Sequence, residues 1–317
     1  MERFGWCVIG TGGIARRVFE DTKDMRILSL YSRSHVRAQE YADMTGGTVC
    51  GTPEEAIRFP GVEGVYVATP HTAHMTYVLQ ALRLGKPVLC EKPMGIAPAQ
   101  VEEMIEEARK RDVFLAEAMW PRFNPVLQTV RDWIAKGYIG QVRYMTADFS
   151  DSRPVDYDQH YYKSEAAGGG LLDMGIYPIA LAGMVYGTQP QKIHAFGKTD
   201  HGVDTRLTAV LEYEDHRTAV LYSGLDVVTG WDAMIYGESG RIQIPAYWMA
   251  KEATLIKQNG EMIRTHREGC TGWGNQIREV ESLIRSGKKE APQIPLEDTL
   301  STSRIMADLL GQLGIAY

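Results

Sequence analysis

The sequence predicts an α/β protein of two parts. The first, over residues 1–120, is a doubly wound parallel sheet; the second, over 121–317, is an α/β domain on an open, antiparallel or mixed sheet. Three observations predict this. Short apolar runs alternate with helical patterns through the first 120 residues, as in a parallel sheet covered on both faces. A glycine-rich turn joins the first strand to the first helix. After Pro121 the rhythm changes to longer, partly alternating stretches separated by polar turns, the pattern of antiparallel strands.

The elements follow in order. "FGWCVIG" (4–10) is a compact apolar strand, and "IARRVFED" has helical spacing. "RILSLYS" is a strand, "HVRAQEYADMTG" a helix stopped by glycine, and "GTVC" a short strand. In "TPEEAIRF", Thr52 is an N-cap, Pro53 occupies the first helical position and Glu55 completes a capping box. "GVYVAT", "PVLC" and "VFLAEAM" are strands, separated by helices at "HTAHMTYVLQALRLG" and "APAQVEEMIEEARKRD". Beyond Pro121, "NPVLQTVRDWIAKGYIG" is a helix. Strands follow at "QVRYMTADFS", "KIHAFGKT", "DTRLTAVLEYE", "RTAVLYSGLD", "WDAMIYGES" and "GRIQIPA", and helices at 275–286 and 297–314 close the chain.

Bulk properties narrow the function. Of 317 residues, 44% are hydrophobic and 23% charged, as in a globular protein. The net charge of −6 argues against a nucleic-acid partner or an anionic membrane surface. Cys7, Cys50, Cys90 and Cys270 lie far apart without a CxxC pair, so neither a zinc site nor a disulfide framework is expected. That usage suits the cytoplasm. The apolar N-terminal stretch is too short for a membrane span and lacks a basic leader, and no stretch of roughly 18 apolar residues is evident.

Gly10-Thr11-Gly12-Gly13-Ile14-Ala15 forms a GxGxxA pattern after a strand and before a helix. Its glycines allow a tight turn and close approach of a pyrophosphate to the helix N-terminus, the signature of a dinucleotide site. No acid stands in "LYSRS" (30–34), where a ribose reader is expected. Ser32 and Arg33 there suit a 2′-phosphate, favouring NADP with NAD possible. Thr69, Pro70 and His71 in "ATPHTAH" end the fourth strand at the ligand edge. His71 and His74 lack a third metal ligand at local spacing, so hydrogen bonding to the cofactor or a helix end is the better reading and no metal is expected.

"VLCEKPM" (88–94) places Glu91, Lys92 and Pro93 at that same edge. A partly buried lysine serves as acid or base, with Glu91 holding a ribose or the lysine. In "AAGGGLLDMGIYPIAL" (166–181), Asp173 and Tyr177 share a helical face. Lysine, carboxylate and phenol together make a proton-transfer cluster, in which nearby cationic charge lowers the phenol's pKa. In "SDSRPVDYDQHYYKSEAA" (150–167), Arg153, Tyr157, His160, Tyr161 and Tyr162 are candidates to line a substrate pocket, as are Trp231 and Trp273, since rings stack on sugars or arene diols.

Together, "GTGGIA", "EKPMG" (91–95), "EAMWPRF" (117–123), "GGGLLDMGIY" and "GVDTRLTAVL" (202–211) resemble the Gfo/Idh/MocA oxidoreductase family, in particular its branch of dimeric dihydrodiol dehydrogenases and NADP-dependent D-xylose dehydrogenases. The resemblance covers nearly the whole chain. It implies a Rossmann domain, a C-terminal α/β domain with an open, mostly antiparallel sheet that often makes a dimer, and acid–base work by Lys92, Asp173 and Tyr177. It also implies that Trp120 and Arg122 lie beside the cofactor; packing between the domains is the competing role. The expected activity is hydride transfer between NADP(H) and a secondary alcohol or hemiacetal of a sugar or trans-dihydrodiol. The alternatives are an aldose–aldonolactone oxidoreductase holding its cofactor tightly, or a non-catalytic NAD(P)-sensing protein.

Overall fold

The computed structural model describes residues 3–22, 25–268 and 272–317. The chain forms two compact units, one of residues 1–120 with 273–299 and one of 121–272 with 300–317. The sequence reading assigned 273–299 to the second half of the chain; here they cluster with the first unit.

The first unit is built on β1 (Gly5–Ile9), α1 (Gly13–Thr22), β2 (Arg26–Tyr31), α2 (His35–Thr45), β3 (Thr48–Val49), α3 (Pro53–Ile57), β4 (Gly64–Val67), α4 (His74–Arg83), β5 (Val88–Glu91), α5 (Pro98–Arg111) and β6 (Leu115–Ala118). The six strands lie in the order β3-β2-β1-β4-β5-β6, and every pairing is parallel. Strands β1, β4, β5 and β6 are buried at every position, which explains why they read as unbroken apolar runs rather than alternating ones. Thr52 and Glu55 form the expected capping box at the start of α3. The Tyr41 hydroxyl, buried with the core, donates to the Ala15 carbonyl at 3.1 Å.

The segment 273–299 closes this unit. Trp6, fully buried, donates its indole N–H to Glu281 at 2.8 Å, and Arg285 pairs with Glu63. The Lys289 carbonyl accepts from the Leu115 N–H at 3.1 Å, on edge strand β6. Thr299 donates to the Glu117 carboxylate.

The second unit continues with α6 (Pro125–Ala135), β7 (Val142–Ser150), α7 (Ile176–Tyr186), β8 (Lys192–Asp200), β9 (Val203–Glu212), β10 (Thr218–Gly224), β11 (Ala233–Gly237), β12 (Gly240–Ile244), β13 (Glu252–Lys257) and β14 (Met262–His266). Its eight strands run in the order β14-β13-β12-β11-β7-β10-β9-β8. All pairings are antiparallel except β7 with β10. Strands β13 and β14 are an addition to the sequence reading. One face of the sheet, with Met145, Ala147, Ala219 and Leu221, is buried and α7 packs against β7 and β10. Ser164–Tyr186 includes a window apolar enough to cross a membrane by length and composition, but 78% of that window is buried inside the protein, as in a core helix. α8 (Gly272–Arg285) belongs to the first unit, and the division between units falls within α9 (Leu296–Gln312) after Thr299.

Candidate active site

In the first unit the site begins where chain order reverses, at the carboxyl ends of β1 and β4. Gly10 adopts φ +99°, and a Cβ there would stand 2.5 Å from the Ala68 carbonyl oxygen. Only glycine lets the turn back onto the end of β4. Around Gly12 and Gly13, by contrast, a Cβ would meet nothing within 4 Å, so the N-terminus of α1 faces open space. The buried hydroxyls of Thr11 and Thr69 have no hydrogen-bond partner among the described residues. Open space over a helix N-terminus, with orphaned hydroxyl groups beside it, fits a pyrophosphate-bearing cofactor. Ala15, by contrast, is fully buried on the inner face of α1. Ser32 and exposed Arg33 follow β2, and the Ser32 hydroxyl accepts from the Ser34 N–H.

The turn after β5 is braced from three sides. The Lys92–Pro93 peptide is cis. Glu91 is 4% exposed and turns inward, where the fully buried Tyr66 donates its hydroxyl to Oε1 at 2.6 Å. Its role is therefore to support the turn from within. Burial raises the Glu91 pKa, while the Tyr66 bond and the Lys92 charge oppose that rise. Glu117, which the sequence reading did not single out, accepts the Met94 N–H at 2.8 Å, and burial pushes its carboxyl up to about 7. Its only sequence signal is a charge inside the apolar run "VFLAEAM". His74 is fully buried, with its ring nitrogens 2.8 Å from the Thr69 and Pro93 carbonyls. It thus ties the end of β4 to the lysine turn. Burial, more than the nearby Lys92 charge, lowers its pKa against the pull of the carbonyls. His71 lies one turn away, with ring centroids 5.8 Å apart. No group of three metal-binding side chains occurs among the described residues. Trp120 is buried with its ring 5.0 Å from that of Trp273.

In the second unit, a π-helical turn over Leu171–Gly175 carries Asp173 and runs directly into α7, which carries Tyr177. Arg153 donates to Asp173 at 2.9 Å and lies 3.7 Å over the Tyr161 ring. The structure thus joins Asp173, expected in the proton-transfer cluster, to Arg153 and Tyr161, expected to line the pocket. Tyr162 donates to the Arg153 carbonyl, fixing the loop behind it. Tyr177 is 7% exposed and lies among aromatic rings: Phe149 at 5.2 Å and Trp248 at 6.3 Å. Trp231 packs on both of those at 5.9 Å, its indole N–H held by the Ser150 carbonyl. Phe149, on β7, and Trp248, in the short turn Tyr247–Met249, are far apart in sequence and are brought together only by the fold, so no local pattern marks them. Tyr157 lies elsewhere, 45% exposed and bonded to Asp200. Arg122 donates to the Ala180 carbonyl of α7 at 3.0 Å, a packing role within the second unit. Cys270 lies outside the described residues.

A dinucleotide-type fold with a lysine turn, and a second unit presenting a carboxylate and a phenol among aromatic rings, define a class: nicotinamide-dependent oxidoreductases. Comparison with known proteins agrees. Residues 4–119 match the model of the oxidoreductase family with an NAD-binding Rossmann fold, and residues 127–243 match the Gfo/Idh/MocA C-terminal domain. The chain is similar to trans-1,2-dihydrobenzene-1,2-diol dehydrogenase of Xenopus laevis, with 32% identity covering 93% of this chain and 92% of that one. Among solved structures it resembles KijD10, a 3-ketoreductase from Actinomadura kijaniata solved with NADP and TDP-benzene, with a TM-score of 0.83, 25% identity and 95% of each chain covered. The fold of an aldose–aldose oxidoreductase from Caulobacter crescentus also matches, with a TM-score of 0.88, 23% identity and 98% and 97% of the two chains covered. The chain belongs to the Gfo/Idh/MocA family and is an NAD(P)-binding oxidoreductase.

Proposed function

We propose that the protein interconverts a secondary alcohol and a carbonyl on a cyclic polyol, a sugar or a trans-dihydrodiol, using NADP(H). The observation that carries this reading is the second-unit cluster, in which Asp173 is held by Arg153 and Tyr177 lies against Phe149 and Trp248, with Trp231 packed behind both. Aromatic faces stack on a ring substrate, and one phenol hydroxyl among them is a group able to move a hydroxyl proton. Gly10, Thr11, Gly12, Gly13 and Ile14 would hold the pyrophosphate, Ser32 and Arg33 the 2′-phosphate, and Thr69, His71 and Trp120 the nicotinamide end. When bound, the cofactor supplies the hydride acceptor or donor. Tyr177 takes or returns the hydroxyl proton, Asp173 on the turn before it orients the reacting group, and Lys92 on the turn after β5 is the second acid–base group. The relatives, a trans-dihydrodiol dehydrogenase and a 3-ketoreductase, support the interconversion of a secondary alcohol and a carbonyl.

The test is a screen of sugars and trans-dihydrodiols with NADP+, followed at the nicotinamide absorbance, with Tyr177→Phe and Lys92→Ala measured beside a cofactor-binding assay. Turnover surviving both substitutions at unchanged NADP affinity refutes the assignment. We further propose a homodimer through the outer face of the second sheet. There the register places Tyr144 beside Tyr236, with rings stacked at 5.7 Å and exposures of 40% and 36%, and Thr146 beside Met234 and Val220. Light scattering of Tyr144→Glu tests this: the variant is expected as a monomer.

A further inference from the structure

The glycine run before α7 has a physical cause. At Gly169 (φ +100°) a Cβ would stand 2.1 Å from Oδ1 of Asp204, on β9. At Gly170 it would lie 3.3 Å from the other oxygen, Oδ2. That second oxygen accepts the Leu171 N–H at 2.7 Å, the first residue of the turn that carries Asp173. Asp204 is fully buried. Gly168 is equally confined, since a Cβ there would stand 2.6 Å from the His160 and Tyr161 carbonyl oxygens. Its own carbonyl accepts the Tyr317 hydroxyl at 2.8 Å. Further on, a Cβ at Gly175 would meet the Ser223 Oγ at 2.7 Å. The turn is therefore gripped along its length, and the carboxyl group in the grip is that of Asp204.

We propose that Asp204 is a positioning residue for Asp173 and Tyr177: its carboxylate enters the space a side chain at 169 would fill and anchors the turn that carries Asp173 and leads into α7, where Tyr177 stands in the first turn. This rests on the reading that those two side chains serve the proton transfer. The carboxylate faces backbone N–H groups of the turn and its own strand, with Tyr317 beside it. Burial pushes its carboxyl up to about 7 against those N–H groups, and in either protonation state an oxygen remains to accept the Leu171 N–H. An isosteric amide keeps one acceptor oxygen for Leu171.

The test compares Asp204→Ala and Asp204→Asn in kcat, KM and NADPH affinity, with hydrogen exchange of the 168–175 amides. For Asp204→Ala the expected result is a roughly hundredfold fall in kcat with cofactor affinity held, as misplacement of reacting groups produces. Asp204→Asn is expected to recover most of that loss. An alanine variant with wild-type kcat, or an asparagine variant no better than alanine, overturns the proposal. If Asp204→Ala does not fold, Gly170→Ala keeps the carboxylate but crowds it, and is expected to lower kcat severalfold at constant cofactor affinity; unchanged kcat there overturns the proposal. Failure of the underlying reading shows separately. Turnover retained by Tyr177→Phe would sink that reading, whereas faster exchange at Leu171 in Asp204→Ala reports the anchor whatever the chemistry.

Discussion

Removing the hydroxyl of Tyr66 tests how the lysine turn is supported. Tyr66 is fully buried and Glu91 is 4% exposed, with 2.6 Å between hydroxyl and carboxylate. Tyr66→Phe leaves Oε1 without this donor in a site closed to water. A hydrogen bond to a charged group contributes about 1.5–3 kcal/mol and a neutral one about 1. The cost therefore depends on the charge of Glu91. Burial raises the folded-state pKa of Glu91, and the Tyr66 bond holds it down, so the variant raises it further. With a raised folded pKa, the native state holds the proton while the unfolded chain releases it from about pH 4.3 upward. Stability from this group is thus fully present below the unfolded pKa and is lost as pH rises through the folded value. The deficit of Tyr66→Phe should accordingly be near 1 kcal/mol at pH 4, growing to about 2–3 kcal/mol at pH 8. Urea unfolding at the two pH values, by circular dichroism and fluorescence with equal m-values, measures it. A deficit below about 0.5 kcal/mol at pH 8, or one larger at pH 4, refutes the reasoning.

Three further outcomes are expected. Glu117, pushed up to about 7 by burial, makes the wild type lose stability as pH rises from its unfolded pKa towards neutrality; Glu117→Gln should flatten that decline in melting temperature between pH 5 and 8. Trp248→Ala, which opens the ring cluster around Tyr177, should lower kcat/KM for ring substrates roughly tenfold or more while leaving the cofactor Kd unchanged. Arg33→Ala should weaken NADP binding on the order of tenfold and leave NAD binding alone, as paired titrations would show.

The first sheet was legible because each local signal agreed with the fold: buried strands read as apolar runs, and Thr52 with Glu55 announced α3. The turn residues Gly10 and Lys92 were legible for the same reason, since they punctuate strand ends. The residues that escaped, Phe149, Trp248, Glu117 and Asp204, find their partners in rings or backbone N–H groups distant in sequence. No local period marks such pairs. Strands β13 and β14 escaped because charged and polar residues interrupt "EATLIK" and "MIRTH". Tyr157 was misleading for the opposite reason: an aromatic residue in a promising loop is satisfied at its surface by Asp200 and the ring of His201.

The placement of 273–299 with the first unit has a consequence for dissecting the protein. A gene truncated after Trp120 would encode every strand of the parallel sheet, yet strip the Trp6 indole of Glu281, the Glu117 carboxylate of Thr299 and the margin of β6 of the Lys289 carbonyl. Such a fragment would bare the outer edge of β6 and leave the Trp6 indole N–H and one oxygen of the buried Glu117 carboxyl without these partners. A stand-alone nucleotide-binding half would therefore have to be spliced from two separated stretches of the chain.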